Sequence, residues 1–307
     1  MKLRMIGNPI AGGGKAKARI EELSARLKAA GHEVEVLLTR QAGDARNWAA
    51  QMNGDIDRLI VAGGDGTLNE VLNGLPDPAR IPLVQMPVGT ANVLARELLL
   101  PWKPQGVAQL IDHGIIKRVD LCEARSLCTS VPSTSPEAAA PWRRFLVVLS
   151  SGFDAMVIED IHHNRKGKLG FFGYMKPIWR TMRRYRPPKL RVVVDGQHKA
   201  EGAMVVVANA ANYAGLLSVA TNARMDSGSL EVCVMQQGSV PSLVRYAFAA
   251  WRRRLSRNTT ARFLRGTRVT IESDTPVAVE IDGELFGMTP TEVRLLPATV
   301  PIVVPGP

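Results

Sequence analysis

The run from Leu59 to Val71 (Leu-Ile-Val-Ala-Gly-Gly-Asp-Gly-Thr-Leu-Asn-Glu-Val) constrains the fold of this chain more than any other segment. Leu59-Ile60-Val61-Ala62 has the length and β-branching of a buried strand. Gly63, Gly64 and Gly66 break it, and Leu68–Leu75 resumes at helical spacing. A strand entering a helix through a glycine turn is the first half of a βαβ crossover, and such crossovers build parallel sheets covered by helices. Neighbouring segments keep the alternation. Lys2–Ile6, Val34–Leu38 and Leu83–Met86 read as strands; Ala16–Ala30, Asp44–Met52 and Ala91–Leu99 read as helices, with Gly31 stopping the first and Asp44 capping the second. The expected fold class is α/β, with a doubly wound, Rossmann-like parallel sheet over residues 1–120.

After Asp120 the pattern changes. Thr129–Trp142, rich in Ser, Pro and Ala, reads as an exposed insertion loop. Phe145–Leu149, Leu190–Val194, Met204–Ala208, Leu230–Met235, Arg268–Glu272, Val277–Ile281 and Glu292–Leu296 read as strands, and Asp195-Gly196 and Asp282-Gly283 as hairpin turns. Two helices are expected, at about Leu169–Arg184 and Ser242–Leu255. A mostly antiparallel, β-sandwich-like domain over 121–297 follows, with residues 298–307 packing back on the first domain.

Three cysteines (Cys122, Cys128, Cys233), an odd count with no C-x-x-C pair, fit a reducing compartment and argue against a disulfide framework. The N-terminal strand has no long apolar h-region, and the uncharged stretch Gly202–Ala223 contains Asn209, Asn212 and Asn222, so neither is expected to enter a bilayer. The net charge of +11 is concentrated. No acid lies between Asp160 and Asp195, where ten Lys or Arg alternate with Phe171, Phe172, Tyr174, Trp179 and Tyr185. None lies between Glu231 and Glu272, where eight Arg accompany Tyr246, Phe248, Trp251 and Phe263. Basic residues mixed with aromatics suit an anionic membrane surface. Charge alone would also attract nucleic acid, and a solvated basic face is the plain alternative.

The chemistry-bearing loops follow the first, third and fourth strands. Gly14-Lys15 is followed by Ala16, so there is no P-loop; no dinucleotide fingerprint follows the first strand, and no His or Cys cluster suggests zinc. Gly63-Gly64-Asp65-Gly66-Thr67 can bring backbone N–H groups close to a bulky anion at a helix N-terminus. Asp65 would repel a phosphate unless Mg²⁺ lies between them; a plain turn with Asp65 as a cap is the structural alternative. Asn8-Pro9-Ile10-Ala11-Gly12-Gly13-Gly14 and Pro87-Val88-Gly89-Thr90-Ala91-Asn92 reach the same sheet edge, so three glycine loops are expected to converge on one ligand.

Taken in order, N-P-x-x-G from Asn8, G-G-D-G-T-L-N-E-V-x-N-G from Gly63 and P-x-G-T-x-N-x-x-A-R from Pro87 resemble the diacylglycerol kinase catalytic-domain family. These are soluble bacterial lipid kinases similar also to sphingosine and ceramide kinases. The resemblance extends through Ser151-Gly152-Phe153-Asp154-Ala155, Asn209 with Tyr213-Ala214-Gly215, Asp226-Ser227-Gly228-Ser229-Leu230 and Asp282-Gly283-Glu284. It implies an ATP-dependent lipid kinase of two domains with ATP in the cleft between them. On this resemblance Asn8, Thr39, Gly63, Gly64, Asp65, Gly66, Thr67, Leu68, Asn69, Gly89 and Thr90 bind the nucleotide. Glu284 is the general base, Asp65 is the second catalytic residue, and Asn92 and Asp154 contact the substrate. Gln197 takes the place of Glu284 in the other Asp-Gly hairpin, so the acid is the informative residue. The family's structural Mg²⁺ loop has Asp where this chain has Ser227; Asp226 either re-aims toward the metal or that site is lost.

The expected substrate is diacylglycerol at an anionic membrane surface, with ATP and Mg²⁺ as cofactors. The expected place is the cytoplasm, peripherally at the inner face of the membrane. No nucleic-acid partner is expected, and a homodimer stays open. The rival readings are a sphingoid-base or ceramide kinase, a soluble-substrate kinase like NAD kinase, which shares G-G-D-G-T, and a non-catalytic lipid- or nucleotide-binding protein.

Overall fold

The computed structural model describes residues 1–52, 55–128, 140–164, 175–213 and 217–306. Most of the expected insertion at 129–142 lies outside these residues, as do Leu169–Tyr174 of the expected helix (with Phe171, Phe172 and Tyr174) and Ala214 and Gly215. The chain forms two compact units: Met1–Leu121 with Ala298–Pro307, and Cys122–Pro297.

In the first unit the strands are β1 (Lys2–Gly7), β2 (Glu33–Leu38), β3 (Arg58–Gly63) and β4 (Leu83–Pro87). The helices are α1 (Ala16–Ala29), α2 (Asp44–Ala50), α3 (Asp65–Gly74), α4 (Val93–Glu97) and α5 (Pro104–His113). The strands run parallel in the order β2-β1-β3-β4. From β1 the chain winds first to β2, then back across to β3. Right-handed crossovers therefore place α1 on one face of the sheet and α2 and α3 on the other, with the switch point between β1 and β3. Central β3 and β4 are buried on both faces, as their unbroken apolar sequences require. Ile20, Leu23 and Leu27 of α1 are buried, and Gly31, at φ +83°, ends that helix.

Several local expectations shift. Gly43, at φ +89°, is the N-cap of α2, while the Asp44 carboxylate accepts the Arg40 and Gln41 amides of the preceding loop at 2.7 and 3.1 Å. Asp44 thus caps the loop and not the helix. α4 begins at Val93 rather than Ala91, because Asn92 takes φ +46°. α5 escaped the sequence reading: Pro104 and Gly106 give its first turn a loop-like composition.

The unit boundaries fall within β5 (Ile115–Ser126) and the last strand. The second unit continues with β6 (Arg143–Phe145), β7 (Val148–Ser151), α6 (Phe153–Asn164), α7 (Met175–Arg184), β8 (Leu190–Val194), β9 (His198–Gly202), β10 (Met204–Ala208), β11 (Asn212–Tyr213), β12 (Leu217–Ser218) and β13 (Leu230–Met235). Then follow α8 (Val240–Trp251), β14 (Ala261–Gly266), β15 (Arg268–Ser273), β16 (Ala278–Ile281), β17 (Glu284–Met288) and β18 (Thr291–Val304). Strands β14-β13-β10-β7-β16-β17 form one antiparallel sheet; β18-β15-β8-β9 form a second antiparallel run. Their inner faces share one core, Leu149, Val205, Val207, Val232, Val279 and Ile281 against Val192, Val194, Val269, Ile271 and Val293. That is a β-sandwich. Phe145–Leu149, expected as one strand, is broken at Leu146-Val147, whose amides bind a side chain instead of a neighbouring strand. α6 was not foreseen, since its β-branched Val157, Ile158 and Ile161 weaken the helical signal.

Candidate active site

In the first unit, the loops after β1, β3 and β4 lie side by side at the carboxyl edge of the sheet. Asn8 N–H donates to the Ala62 carbonyl (2.9 Å) and Val88 N–H to that of Gly63 (3.2 Å). The loops meet glycine to backbone. A Cβ added to Gly12 would lie 2.3 Å from the Val88 carbonyl oxygen, and one on Gly89 would lie 2.6 Å from Gly64 Cα. A side chain at either position would wedge two loops apart, and the expected convergence is thereby explained by contact. Thr39 joins the same edge, its N–H donating to the Gly7 carbonyl at 2.9 Å.

α3 starts at this edge with Gly64 as N-cap, and its first intrahelical bond is Leu68 N–H to the Gly64 carbonyl at 3.2 Å. Helix geometry leaves the amides of the first turn pointing out of the helix end, where they suit an anion. Thr67, Leu68 and Asn69 are buried beneath them, and Thr90 is exposed. The Asn69 amide uses its oxygen to accept Asn73 Nδ2 at 2.6 Å, while its buried Nδ2 has no partner among the described residues. Free amides at the helix end, beside loops packed too closely at Gly12 and Gly89 to admit a side chain, fit a site shaped for phosphate oxygens.

Asp65 does something the sequence left open. Its Oδ1 accepts the Val93 amide at 2.9 Å, and the backbone N–H groups of Leu94 and Asn92 also stabilise its charge. Burial raises the pKa of this carboxyl, and those amides partly offset the rise. The acid therefore caps α4 across the gap, locking the β3–α3 loop to the β4–α4 loop. Asn92 is likewise committed, accepting from Gly89 N–H (3.0 Å) and donating to the Gly89 carbonyl (2.8 Å).

In the second unit the β16–β17 turn carries Asp282-Gly283-Glu284, with Asp282 and Gly283 at φ +50° and +85°. The Asp282 carboxylate accepts the amides of Leu146, Val147 and Val148 at 3.2, 3.1 and 2.9 Å, pinning the turn to the β6–β7 connection. Glu284, at the start of β17, is exposed and ion-paired with Arg143 at 2.5 Å. Asp195 does for its hairpin what Asp282 does here, accepting the Thr267 and Arg268 amides.

Behind the turn lies a cluster that sequence reasoning missed. Glu280 of β16 is buried; its carboxyl accepts Ser150 Oγ at 2.8 Å and Gly283 N–H at 2.7 Å. Asp154 of α6, whose carboxyl is desolvated, accepts the Tyr213 hydroxyl and its own neighbour's amide, Ala155 N–H, at 2.8 Å. Burial first, and then the charge of Asp154, push Glu280 up to about 8. Burial raises Asp154 as well, and Tyr213 is held far above its ordinary value. Two carboxyls this close and this dry share protons rather than both ionise. The signal was available: Glu280 is the only acid in the apolar run Val277–Ile281.

A model of the diacylglycerol kinase catalytic domain matches residues 2–124, and a model of the YegS C-terminal NAD kinase beta sandwich-like domain matches residues 147–304. The chain belongs to the diacylglycerol kinase family. A protein called diacylglycerol kinase from Staphylococcus saprophyticus is 25% identical over 308 residues, 99% of this chain and 96% of that one. A Staphylococcus aureus relative of the same name is also 25% identical, with 93% of its length covered. Among solved structures, a diacylglycerol kinase from Bacillus anthracis has a TM-score of 0.72 at 24% identity, covering 99% of this chain and 96% of that one. Yeast NADH kinase complexed with NADH shares the fold, with a TM-score of 0.56 at 11% identity over 100% of this chain and 84% of that chain. Membership in this kinase family implies use of a nucleotide.

The structural Mg²⁺ loop fits this chain poorly. Asp226 is exposed and ion-paired with Arg224 at 3.3 Å, while Ser227 Oγ donates to the Ser229 carbonyl at 3.0 Å. Among the described residues, no three His, Cys, Asp or Glu side chains gather in a way that could hold a metal. A hard cation needs several oxygens, ideally anionic, and the carboxylate that this turn carries, Asp226, is paired with an arginine.

Proposed function

We propose that this chain is an ATP-dependent lipid kinase, transferring the γ-phosphate of ATP to a hydroxyl of a membrane lipid, with diacylglycerol as the first candidate. The observation that carries the reading is the glycine-to-backbone junction of three loops over the N-terminus of α3. Family membership supports phosphoryl transfer. In this reading Asn8, Thr39, Gly63, Gly64, Gly66, Thr67, Leu68, Asn69, Gly89 and Thr90 make the nucleotide site. Asp65 and Asn92 hold the loops in register rather than touch the lipid.

Glu284 is the proposed general base. Its carboxylate is accessible, it is anchored by Arg143 and by the Asp282 clamp, and it can take the proton of the attacking hydroxyl. Asp154 is proposed at the lipid headgroup, with its Tyr213 contact as the part a substrate hydroxyl would displace. Mg²⁺ would neutralise the transferring phosphate when bound to the nucleotide; no residue of this chain is assigned to it.

Among the described residues no helix is long and apolar enough to cross a membrane. We place the protein peripherally at the inner leaflet, on the strength of its two basic, aromatic segments. The test is to incubate purified protein with ATP and a total lipid extract and to identify the products by mass spectrometry. Phosphatidic acid is the expected product. ATP binding without phosphorylated product would instead indicate a non-catalytic binding protein.

A further inference from the structure

α8 carries apolar residues on two faces. Leu243, Tyr246 and Ala250 are buried inward, and the Tyr246 hydroxyl donates to the Thr260 carbonyl at 3.0 Å, so the helix's orientation is fixed. On the outer face, Val240, Val244, Phe248 and Trp251 follow at spacings of four, four and three residues, one stripe along the helix. They are 36%, 57%, 56% and 62% exposed. The Phe248 and Trp251 rings lie 5.9 Å apart, forming one aromatic ledge. A contiguous exposed apolar stripe on a soluble fold marks an interaction site.

Arginines rim the stripe. Arg245 flanks it, Arg252, Arg253 and Arg254 follow it, all exposed, and the Arg252 guanidinium sits 5.8 Å from the Phe248 ring centre. No acid occurs between Glu231 and Glu272 to offset them. A second copy of the chain would oppose arginine rim to arginine rim. A nucleic acid would leave Val244 and Phe248 without an apolar counterpart. An anionic lipid leaflet satisfies both parts at once, taking the apolar side chains at the acyl boundary and the guanidinium groups at the phosphates.

We propose that α8 lies in the membrane interface, inserting Val244, Phe248 and Trp251 into an anionic leaflet with Arg245 and Arg252–Arg254 at the headgroups. The inference rests on the lipid-kinase reading and deepens it, naming the surface by which the protein reaches a substrate that never leaves the bilayer.

The experiment is co-sedimentation with vesicles of phosphatidylcholine alone and of phosphatidylcholine with an equal part of phosphatidylglycerol. The wild type is compared with the combined variant V244S/F248S/W251S, which leaves every residue of the proposed active site in place. The wild type is expected to bind the anionic vesicles at least tenfold more strongly than the neutral ones, and the variant to lose at least tenfold of that binding with Tm unchanged. Transfer of phosphate to short-chain diacylglycerol in detergent micelles separates the two ideas. A variant active in micelles but unable to bind vesicles supports the proposal; wild type inactive in micelles overturns the kinase reading, whatever the vesicle result. Equal vesicle binding by wild type and variant overturns the membrane face. So does a wild-type dimer that the variant loses with no change in vesicle binding, since a second copy then occupies the stripe.

Discussion

Glu280→Gln should make this protein more stable at alkaline pH. Glu280 is buried in β16, and its carboxyl is pushed up to about 8 from an ordinary 4.5. The folded chain thus keeps a proton that the unfolded chain releases. Stability from this group is fully present below about 4.5 and is lost as pH rises through about 8. At 1.36 kcal/mol per pH unit the interval corresponds to on the order of 5 kcal/mol as an upper bound. Gln is isosteric and cannot ionise. Its amide oxygen can accept Gly283 N–H while its NH₂ donates to Ser150 Oγ, freeing that hydroxyl to donate to Asp154, with which Ser150 already interacts. At pH 5 the variant should therefore unfold within about 1 kcal/mol of wild type, and by pH 6 the gap should already have grown to about 2 kcal/mol. By pH 9 it should be the more stable of the two by several kcal/mol. Urea midpoints for both proteins at half-unit steps from pH 5 to 9 measure this, and the difference between the curves cancels the titration of the groups that do not interact with Glu280. Asp154, Tyr213 and Asp282 face the same carboxyl, and all stay in place in the variant. Parallel curves would refute the reasoning, because they would mean that Glu280 is ionised in the folded protein at neutral pH.

Gly89→Ala should part the phosphate loops, since the new methyl would meet Gly64 Cα at 2.6 Å and Asn92 Oδ1 at 2.8 Å. Overpacking of this kind costs about 1–3 kcal/mol, and calorimetric ATP affinity should fall at least tenfold. Asp282→Ala strands three backbone amides at the β6–β7 connection, at a cost on the order of 3 kcal/mol. Its Tm should fall and, if Glu284 is the base proposed above, its kcat should fall beyond what the lost folded fraction explains, because the same turn carries that residue. Glu284→Gln removes only an exposed carboxylate, so Tm should hold while kcat drops roughly 10²- to 10⁴-fold; a variant with wild-type turnover would remove Glu284 from the chemistry.

The parallel sheet of the first unit was readable because buried strands are apolar throughout and glycines mark each crossover, as in Leu59–Thr67. The sandwich was readable from alternation such as Leu190–Val194 and from two Asp-Gly turns. What stayed hidden depended on tertiary contacts. No local rule says that Asp65 spends its carboxylate on the amides of α4, or that Asp282 binds a connection more than a hundred residues earlier in the sequence. Nor does sequence spacing bring Ser150, Asp154, Tyr213 and Glu280 together, since they come from two strands, a helix and a short hairpin. The stripe on α8 was visible only as basic and aromatic composition. The structure divides its helix into a buried face at Leu243 and Tyr246 and an exposed one at Val244 and Phe248.

The most direct test offers γ-³²P-labelled ATP with diacylglycerol, ceramide, a sphingoid base and NAD in parallel, using wild type and the Glu284→Gln variant. The account predicts label in the lipid phase, greatest with diacylglycerol, and nearly abolished by the substitution. Label transferred to NAD, or to no acceptor at all while ATP still binds, would contradict it.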